Sequence, residues 1–413
     1  MHRTLSTLMV FSLLSTPLFA AMKEDGNSPS VAPAKEKRLI EAIVPIETYP
    51  NGSVPMPRFS VDANWPTLPD TWLLGQVSGL SIDKYDHVWI LQRPNSLGKF
   101  DTGLAATPQT ALCCEPAPHV IRFTPQGEVA TAWGGASHAP TVDGVNQWPV
   151  NVHGLYVDPN DSVWIAGNGE GDHVVANFNF DGKFIQQFGE RGKTAGNADD
   201  ATLGNPSDVF YDPNANEVVI SDGYINARMV AFDAEDKKAA HIWGAYGNKP
   251  TGPTREGAFD QSQAAQPQAQ GVDVENSLFG NIVHCVNQSS DGLIYVCDRR
   301  NNRVQIFKRE KSGDISFEHN LVVAATTGGV GSATDVAFSP DETYLYVADM
   351  MNGRIWIYER ESLTLLGSIG RNGRYPGQFT WLHSIDTDSD GNLYTTEVNT
   401  GRRVQKLIFE GVK

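Results

Sequence analysis

The chain has 413 residues, among them 39 glycines, 24 prolines and 9 tryptophans. No stretch carries apolar residues at helical spacing for more than about two turns, so an all-β fold is favoured over a helical one. The net charge of −16 argues against binding to nucleic acid or to an anionic membrane, because both need a basic surface.

Residues 1–21 have the pattern of a secretory signal peptide. Basic residues precede an apolar run at 8–14, and small residues follow it as far as Ala20 and Ala21. The run is too short to cross a bilayer, and we therefore expect a secreted or periplasmic protein. Residues 22–56 are rich in proline, alanine and charge, which predicts a linker.

From residue 57 onward the sequence predicts six copies of one unit. Each copy has a first strand, a turn containing Asp or Asn, and second and third strands, and most copies add a fourth strand that ends in an apolar residue and glycine. Four short strands repeated around a ring are typical of β-propeller blades, so we predict a six-bladed β-propeller over 57–413. The units begin at Gln76, Asn151, Asn205, Asn281, Ser332 and Trp381.

The sixth unit ends after its third strand. An open blade would leave an unpaired strand edge, so we predict that the stretch 57–65 supplies the missing strand and closes the ring. An open solenoid is the alternative, and the incomplete last unit argues against it.

One position of the first strand alternates between a small hydroxyl residue and histidine: Ser78, His153, Ser207, His284, Thr334 and His383. First strands line the channel of a propeller, so three imidazoles on alternate blades would point at one place on the axis. The small residues between them would leave room. Three neutral imidazoles with a free fourth position are the ligand set of a catalytic zinc site. The alternative, three channel histidines bonded to water, does not explain the alternation.

The loops between second and third strands open onto one face, where a site would find its other groups. The sequence Asp-x-x-Asn-x-Arg recurs in these loops, and we expect its Asp and Arg to bond to each other and hold the turn. Tyr224 and Arg299 depart from this pattern, and Arg93 lies in the corresponding loop of the first unit. His173, in a loop of the second unit, could also reach the channel mouth.

Four cysteines in an exported chain suggest disulfides. Cys285 and Cys297 are equally far from Asp291, at the centre of a predicted hairpin turn, so they could face each other across two strands. The state of Cys113 and Cys114 stays open, and four free thiols are the alternative.

Several stretches resemble peptidyl-α-hydroxyglycine α-amidating lyase, a zinc propeller related to NHL repeats. They are GQVSGLSID at 75–83, HGLYVD at 153–158, SDGYINAR at 221–228, DRRNNRVQIF at 298–307 and HSIDTDSDGNLY at 383–394. The resemblance extends over most of 70–410, and similar propellers also occur as exported bacterial proteins. It implies the zinc ligands His153, His284 and His383, a catalytic Tyr224, and the active-site arginines Arg299 and Arg93.

The reaction implied by this resemblance is cleavage of the N–C bond in a peptidyl-α-hydroxyglycine, which gives a peptide amide and glyoxylate. Binding to zinc would make the substrate hydroxyl more acidic. Tyr224 would take its proton as a general base, while Arg93 and Arg299 would hold the carboxylate and stabilise developing charge. The expected partner is thus a small-molecule or peptide substrate, and we expect a monomer.

The chain departs from the family at two positions. The family has Asp directly after the third zinc histidine, as a Ca²⁺ ligand, whereas this chain has Ser384, so a structural calcium stays open. Asp208 and Asp335 occupy the matching position in two other units. Ile225 stands where the family has a disulfide cysteine.

Two other functions compete with the lyase. A metal-dependent hydrolase such as a lactonase would need a carboxylate to position water, and no acidic residue adjoins the three histidines in the sequence. A non-enzymatic NHL-repeat propeller that binds a partner would not require the alternation of histidine with small residues.

Overall fold

The structure is a computed structural model that describes residues 55–250, 279–280 and 282–413, together with the backbone of 39–40 and 47–48. The predicted signal peptide lies outside these residues, as does most of the predicted linker. Across the described ranges, no helix is long and apolar enough to cross a membrane.

Six antiparallel sheets form the blades of the predicted β-propeller, which is confirmed. Blade 1 contains Gln76–Ile82, Val88–Arg93, Val120–Phe123 and Val129–Trp133. Blade 2 contains Val152–Val157, Ser162–Gly167, Val174–Asn179 and Phe184–Gly189. Blade 3 contains Asp208–Asp212, Glu217–Asp222, Arg228–Asp233 and Ala239–Trp243.

The remaining blades follow the same order from the channel outward. Blade 4 contains Val283–Gln288, Leu293–Asp298, Arg303–Arg309 and Ile315–Val322. Blade 5 contains Ala333–Phe338, Tyr344–Asp349, Arg354–Glu359 and Thr364–Ile369, and blade 6 contains Leu382–Thr387, Leu393–Glu397, Arg403–Val412 and Pro57–Asp62. Short 3₁₀ turns at Pro94–Ser96, Ala136–His138, Ala245–Gly247 and Arg299–Asn301, and paired two-residue strands at Trp72–Leu73 with Glu115–Pro116 and at Thr141–Val142 with Val145–Asn146, lie in the connections.

The ring closes in blade 6 as predicted. Pro57–Asp62 runs antiparallel to Arg403–Val412, with Phe59 opposite Phe409. Met56 and Lys413 exchange two backbone hydrogen bonds of 2.9 and 3.1 Å. The fourth strand of the last blade therefore comes from the part of the chain that precedes the first blade.

Two further pairings fall inside the stretch expected to be a linker. Leu39–Ile40 pairs with Pro57–Asp62, and Glu47–Thr48 pairs with Thr364–Ile369. They extend the outer edges of blades 6 and 5, where an uncovered strand would expose its backbone groups. Strands of two residues have no measurable periodicity, so the sequence pattern could not indicate them.

The hydrophobic core is divided among the blade interfaces. Trp89 and Leu91 of blade 1 pack against Val152 and Ile165 of blade 2, and comparable clusters join each later pair of blades. A sixth cluster joins blade 6 to blade 1. Because every blade buries its two faces against its neighbours, the innermost strands are held side by side around the channel.

The recurring aspartate of the first hairpin turn has a structural role. In blades 1 and 2, the indole N–H groups of Trp89 and Trp164 donate to Asp83 and Asp158 at 2.9 and 2.8 Å. In blade 6, the hydroxyl of Tyr394 donates 2.9 Å to the equivalent aspartate. An aromatic residue of the second strand thus fixes the turn that follows the channel-lining strand.

Candidate metal centre

The three predicted histidines meet at one place. The ligand nitrogens of His153, His284 and His383 lie within 4.8 Å of one another. The ring centroids are separated by 4.8 to 4.9 Å on all three sides of the triangle. All three side chains are buried, with 2 or 3% of their surface exposed. The group could bind a metal ion.

A β-bulge directs each histidine into the channel. The pairing between first and second strands is interrupted between Val152 and Leu155 in blade 2 and between Val283 and Val286 in blade 4. Blade 6 has the same interruption between Leu382 and Ser384. A bulge turns a side chain out of the regular alternation of a strand, and here the turned residue is the histidine.

Each imidazole contacts the blade that follows its own in the ring, where a small residue stands in place of the histidine. His153 Nδ1 donates 2.7 Å to the carbonyl of Ser207, and His284 Nδ1 donates 2.7 Å to the carbonyl of Thr334. His383 bonds to the backbone of Ser78, and its Nδ1 also lies 3.3 Å from the hydroxyl of Ser384, which donates 3.2 Å to the Ser78 carbonyl. A backbone acceptor at Nδ1 leaves the lone pair on Nε2, which is the arrangement of many metal-binding histidines.

The imidazoles are neutral at neutral pH. Burial lowers the pKa of His153, His284 and His383 well below the usual 6.5, and the positive charges of Arg299 and Arg93 lower the pKa of His383 further. Metal binding requires the neutral imidazole, so the three side chains need lose no proton before they bind.

One atom of the triangle indicates directly that a ligand would fit. Nε2 of His284 is buried and has no hydrogen-bond partner within the described part of the chain. Buried polar atoms are nearly always paired, and a metal ion between the three nitrogens would satisfy this one. Three neutral nitrogens from buried imidazoles are also one of the donor sets found in metal sites with an open position.

Tyr224 lies at the edge of the triangle. Its hydroxyl is 2.7 Å from Nε2 of His153, and its ring centroid is 5.0 Å from that of His153. The guanidinium of Arg299 bonds to the same hydroxyl. The hydroxyl oxygen therefore faces both a candidate metal ligand and a fixed positive charge.

Arg93 approaches the triangle from blade 1. Its Nε donates 2.8 Å to the carbonyl of Val152, directly before His153, and its Nη1 donates 3.0 Å to Gln76. Burial lowers the pKa of Arg93 to about 10 and also lowers that of Arg299, while Tyr224 opposes both shifts. Both guanidinium groups remain charged at neutral pH, Arg93 at a half-buried position and Arg299 at a buried one.

The turn that carries Tyr224 is held by its neighbours. Its N–H donates 3.1 Å to the carbonyl of Asn205, whose own N–H donates 3.2 Å to Nδ1 of His173. His173 is buried and supports this turn through Asn205. The expected Asp–Arg bonds are confirmed at Asp222–Arg228, 2.9 Å, and Asp298–Arg303, 2.6 Å.

A cavity of about 260 Å³ occupies the channel beside the histidines. Four aspartates line it together with the triangle, namely Asp158 and the three channel carboxylates Asp208, Asp335 and Asp386. Neither Tyr224 nor the two arginines belong to its described lining. Tyr224 therefore contacts the histidine triangle from outside the cavity that the channel carboxylates line.

The channel carboxylates tie neighbouring blades together. Asp208 accepts the N–H of Val286, and Asp386 accepts the N–H of Ile82, at 3.1 and 2.7 Å. Burial raises the pKa of Asp208 and Asp386 to about 7, and burial together with the charge of Asp208 raises the pKa of Asp335 well above its usual value. The sequence placed Asp208 and Asp335 at equivalent positions of two units, but it did not indicate Asp386 or that the three carboxylates share one cavity with the histidines.

Two disulfides are present. Cys285 and Cys297 are bonded across the first two strands of blade 4, with their Cα atoms 4.8 Å apart. Cys113 and Cys114, whose state the sequence left open, are bonded to each other in the connection between the second and third strands of blade 1. Neither pair contains a free thiol.

The residues that orient the site could be predicted from the sequence less well than the histidines. Ser78, Ser207 and Thr334 were expected only to leave space, yet the backbones of all three bind the imidazoles. Gln76, which holds Arg93, gave no signal. The alternation itself was the available clue, since each small residue stands in the blade that follows a histidine.

Comparison with known proteins agrees with this architecture. The NHL repeat family model matches residues 281–307, in blade 4. NHL repeat-containing protein 3 of Homo sapiens is 23% identical over 360 residues, which cover 85% of this chain and 84% of that protein.

Two further relatives carry an enzyme name. A probable peptidyl-alpha-hydroxyglycine alpha-amidating lyase of Caenorhabditis elegans is 24% identical and covers 60% of this chain and 62% of its own length. Peptidyl-alpha-hydroxyglycine alpha-amidating lyase 1 of Drosophila melanogaster is 24% identical and covers 89% of this chain and 64% of its own length. The chain is a β-propeller with an NHL repeat at residues 281–307, and it is similar in sequence both to amidating lyases and to an NHL repeat-containing protein without an enzyme name.

Proposed function

We propose that this protein is a zinc-dependent lyase that cleaves the N–C bond of a peptidyl-α-hydroxyglycine or a related carbinolamide. The observation that carries the proposal is the contact between the triangle and Tyr224, whose hydroxyl lies 2.7 Å from Nε2 of His153 and is bonded to Arg299. The two relatives named as amidating lyases support the same reaction class.

His153, His284 and His383 would hold the metal through Nε2. A zinc ion bound there would lower the pKa of a substrate hydroxyl. Tyr224 is placed to take the proton of that hydroxyl, because its oxygen already faces the position where the metal ligands converge. Arg299 stabilises negative charge on the tyrosine oxygen through the bond that the two side chains share.

The proposed cleavage is balanced within the substrate itself. Loss of the hydroxyl proton forms the carbonyl of glyoxylate, the C–N bond breaks, and the amide nitrogen receives a proton that Tyr224 can return. No oxidant or reductant is consumed. Arg93, which is half-buried, and Arg299, which is buried, would bind the carboxylate and keep the breaking bond beside Tyr224.

One observation favours a metal-dependent hydrolase as a second candidate. Asp208, Asp335 and Asp386 share the cavity with the histidines, and a carboxylate near a metal could orient water. Asp208 and Asp386 already accept backbone N–H groups of neighbouring blades, however, and a hydrolase leaves Tyr224 and Arg299 without a role. We therefore rank the lyase first.

Export of the protein is part of the proposal. The two disulfides are of a kind that forms in oxidising compartments. The predicted signal peptide at 1–21, although outside the described residues, would direct the chain there.

Metal content and glyoxylate release test the proposed function together. After expression with zinc, wild-type protein should hold about one equivalent of zinc, the His284→Ala variant should lose it, and a control His319→Ala variant, altered at an exposed histidine, should keep it. Zinc-loaded protein should release glyoxylate from a model α-hydroxyglycine, and Tyr224→Phe should abolish that release with the zinc retained. Less than about half an equivalent in the wild type contradicts both enzyme hypotheses, and hydrolysis of lactones without glyoxylate release would favour the hydrolase.

A further inference from the structure

The disulfide Cys285–Cys297 lies between two groups of the candidate site. Cys285 directly follows His284 in the first strand of blade 4, and Cys297 precedes Asp298 and Arg299 at the end of the second strand. The bond therefore connects the segment that carries a candidate metal ligand to the segment that carries a candidate carboxylate-binding arginine.

The crosslink is located in the bulge itself. Val283 pairs with Asp298, and the next pair is Val286 with Val296, so His284 and Cys285 together lie opposite Cys297. The extra residue of a bulge is not held by regular strand pairing. In this blade the disulfide supplies a covalent link at the point where the hydrogen-bonded ladder is interrupted.

The surroundings of the disulfide hold it firmly. Cys285 and Cys297 are 1% and 0% exposed, and they pack in the core between blades 4 and 5 with Tyr295, Leu345 and Trp356. On the far side of the bulge, the N–H of Arg299 donates 3.3 Å to the carbonyl of Ile282. The bulge is thus closed by a covalent bond at one end and a backbone hydrogen bond at the other.

Blade 4 has a special requirement for such a link. Blades 2 and 6 each supply one histidine, whereas blade 4 supplies His284 from its first strand and Arg299 from the end of its second. The sequence has four cysteines, and the other two lie in a connection of blade 1, so no other blade can be crosslinked in this way.

We propose that the Cys285–Cys297 disulfide is a positioning element that fixes the imidazole of His284 relative to the guanidinium of Arg299. It rests on the metal site of the proposed function. A disulfide that acts only as a staple restricts the unfolded chain and leaves the affinity of the folded protein for metal unchanged. A positioning disulfide acts on the folded protein, and its removal weakens metal binding at temperatures where the fold is intact.

Blade 6 provides the replacement that tests this inference. At the positions equivalent to Cys285 and Cys297 it has Ser384 and Thr396, and the N–H of Ser384 donates 3.2 Å to the Thr396 hydroxyl. The C285S/C297T variant copies a pair that this fold already accepts, which favours folding. C285A/C297A is a second variant of smaller volume, and C113A/C114A is the matched control that removes the other disulfide.

The probe is Co²⁺, which occupies zinc sites and has a visible spectrum that depends on its coordination. Full-length proteins are loaded with Co²⁺ and challenged with a chelator well below their unfolding temperatures. C285S/C297T, and C285A/C297A where it folds, should release Co²⁺ at least about tenfold faster than the wild type and show an altered spectrum, while C113A/C114A should match the wild type.

The outcomes separate this inference from the proposed function. If the wild type does not bind Co²⁺, the metal site fails and the positioning role fails with it. If the wild type binds Co²⁺ and C285S/C297T has the same spectrum and release rate, the proposed function stands and the positioning role is wrong, even if the variant unfolds at a lower temperature.

Discussion

Nε2 of His153 and the hydroxyl of Tyr224 are 2.7 Å apart, and Nδ1 of the same imidazole donates to Ser207. With Nδ1 protonated, the tyrosine must be the donor to Nε2. The lone pair that would bind a metal is therefore occupied by a hydrogen bond, and metal binding has to displace it.

Tyr224→Phe should for this reason bind Zn²⁺ more tightly than the wild type, although it cannot transfer the substrate proton. A hydrogen bond of about 1 kcal/mol that no longer competes corresponds to roughly fivefold in affinity. Competition with a chromophoric chelator measures the change. A weaker affinity in Tyr224→Phe would mean that the tyrosine helps to bind the metal rather than competing with it.

Arg299→Lys should lower kcat/KM for an α-hydroxyglycine with a free carboxylate by roughly 10- to 100-fold, because lysine keeps the charge but loses the planar fork of donors. Zinc content should not change. Arg371→Lys, at an exposed arginine, is the control. A carbinolamide that lacks the carboxylate should be affected much less, and an equal loss with both substrates would contradict carboxylate binding by Arg299.

Gly223→Ala should damage the site through the backbone. A Cβ atom at Gly223 would lie 1.9 Å from the carbonyl oxygen of Val283, directly before His284, so either the Tyr224 turn or the histidine strand must move. We expect a loss of about 1–3 kcal/mol in the free energy of unfolding and a lower zinc content. Gly328→Ala, where a Cβ atom meets nothing within 4 Å, should change neither quantity in denaturation and metal assays.

Asp386→Asn should change how stability depends on pH. Burial raises the pKa of Asp386 in the folded protein to about 7, from a usual value of 3.8. A raised carboxyl pKa gives stability that is present at acid pH and lost as the pH rises through about 7, and asparagine cannot undergo this loss. The variant should therefore gain unfolding temperature relative to the wild type between pH 5 and pH 8 in EDTA. Asp200→Asn, at an exposed aspartate, is the control. The prediction would be contradicted if the unfolding temperature of Asp386→Asn fell relative to that of the wild type as the pH rises.

The sequence predicted the ring and the meeting of the histidines because both depend on a repeated register. Once six units were aligned, His153, His284 and His383 had to lie at one height, and the incomplete last unit required a strand from 57–65. The hydrogen bonds that orient the site do not repeat in this way. The carbonyls of Ser207 and Thr334 act through the backbone, so their side-chain identities gave no indication of the role.

Contacts between different blades were the other part that could not be predicted. Asp208, Asp335 and Asp386 share one cavity although their carboxylates come from three blades, and their effect on pKa depends on burial that only the assembled ring creates. The bond between Cys113 and Cys114 depends on the path of an irregular connection, for which the sequence has no periodic signal.

The seam of the ring lies in the same blade as one of the three histidines. Blade 6 holds His383 and is also where Pro57–Asp62 meets Arg403–Val412 through noncovalent contacts alone, among them the bond from Ser60 to Glu410. When heat or force unfolds the propeller, the ring can open at this junction without the breaking of a covalent bond. Separation of blade 6 at the seam would take His383 away from His153 and His284. Release of a bound metal would therefore report the opening of the seam before the other blades separate.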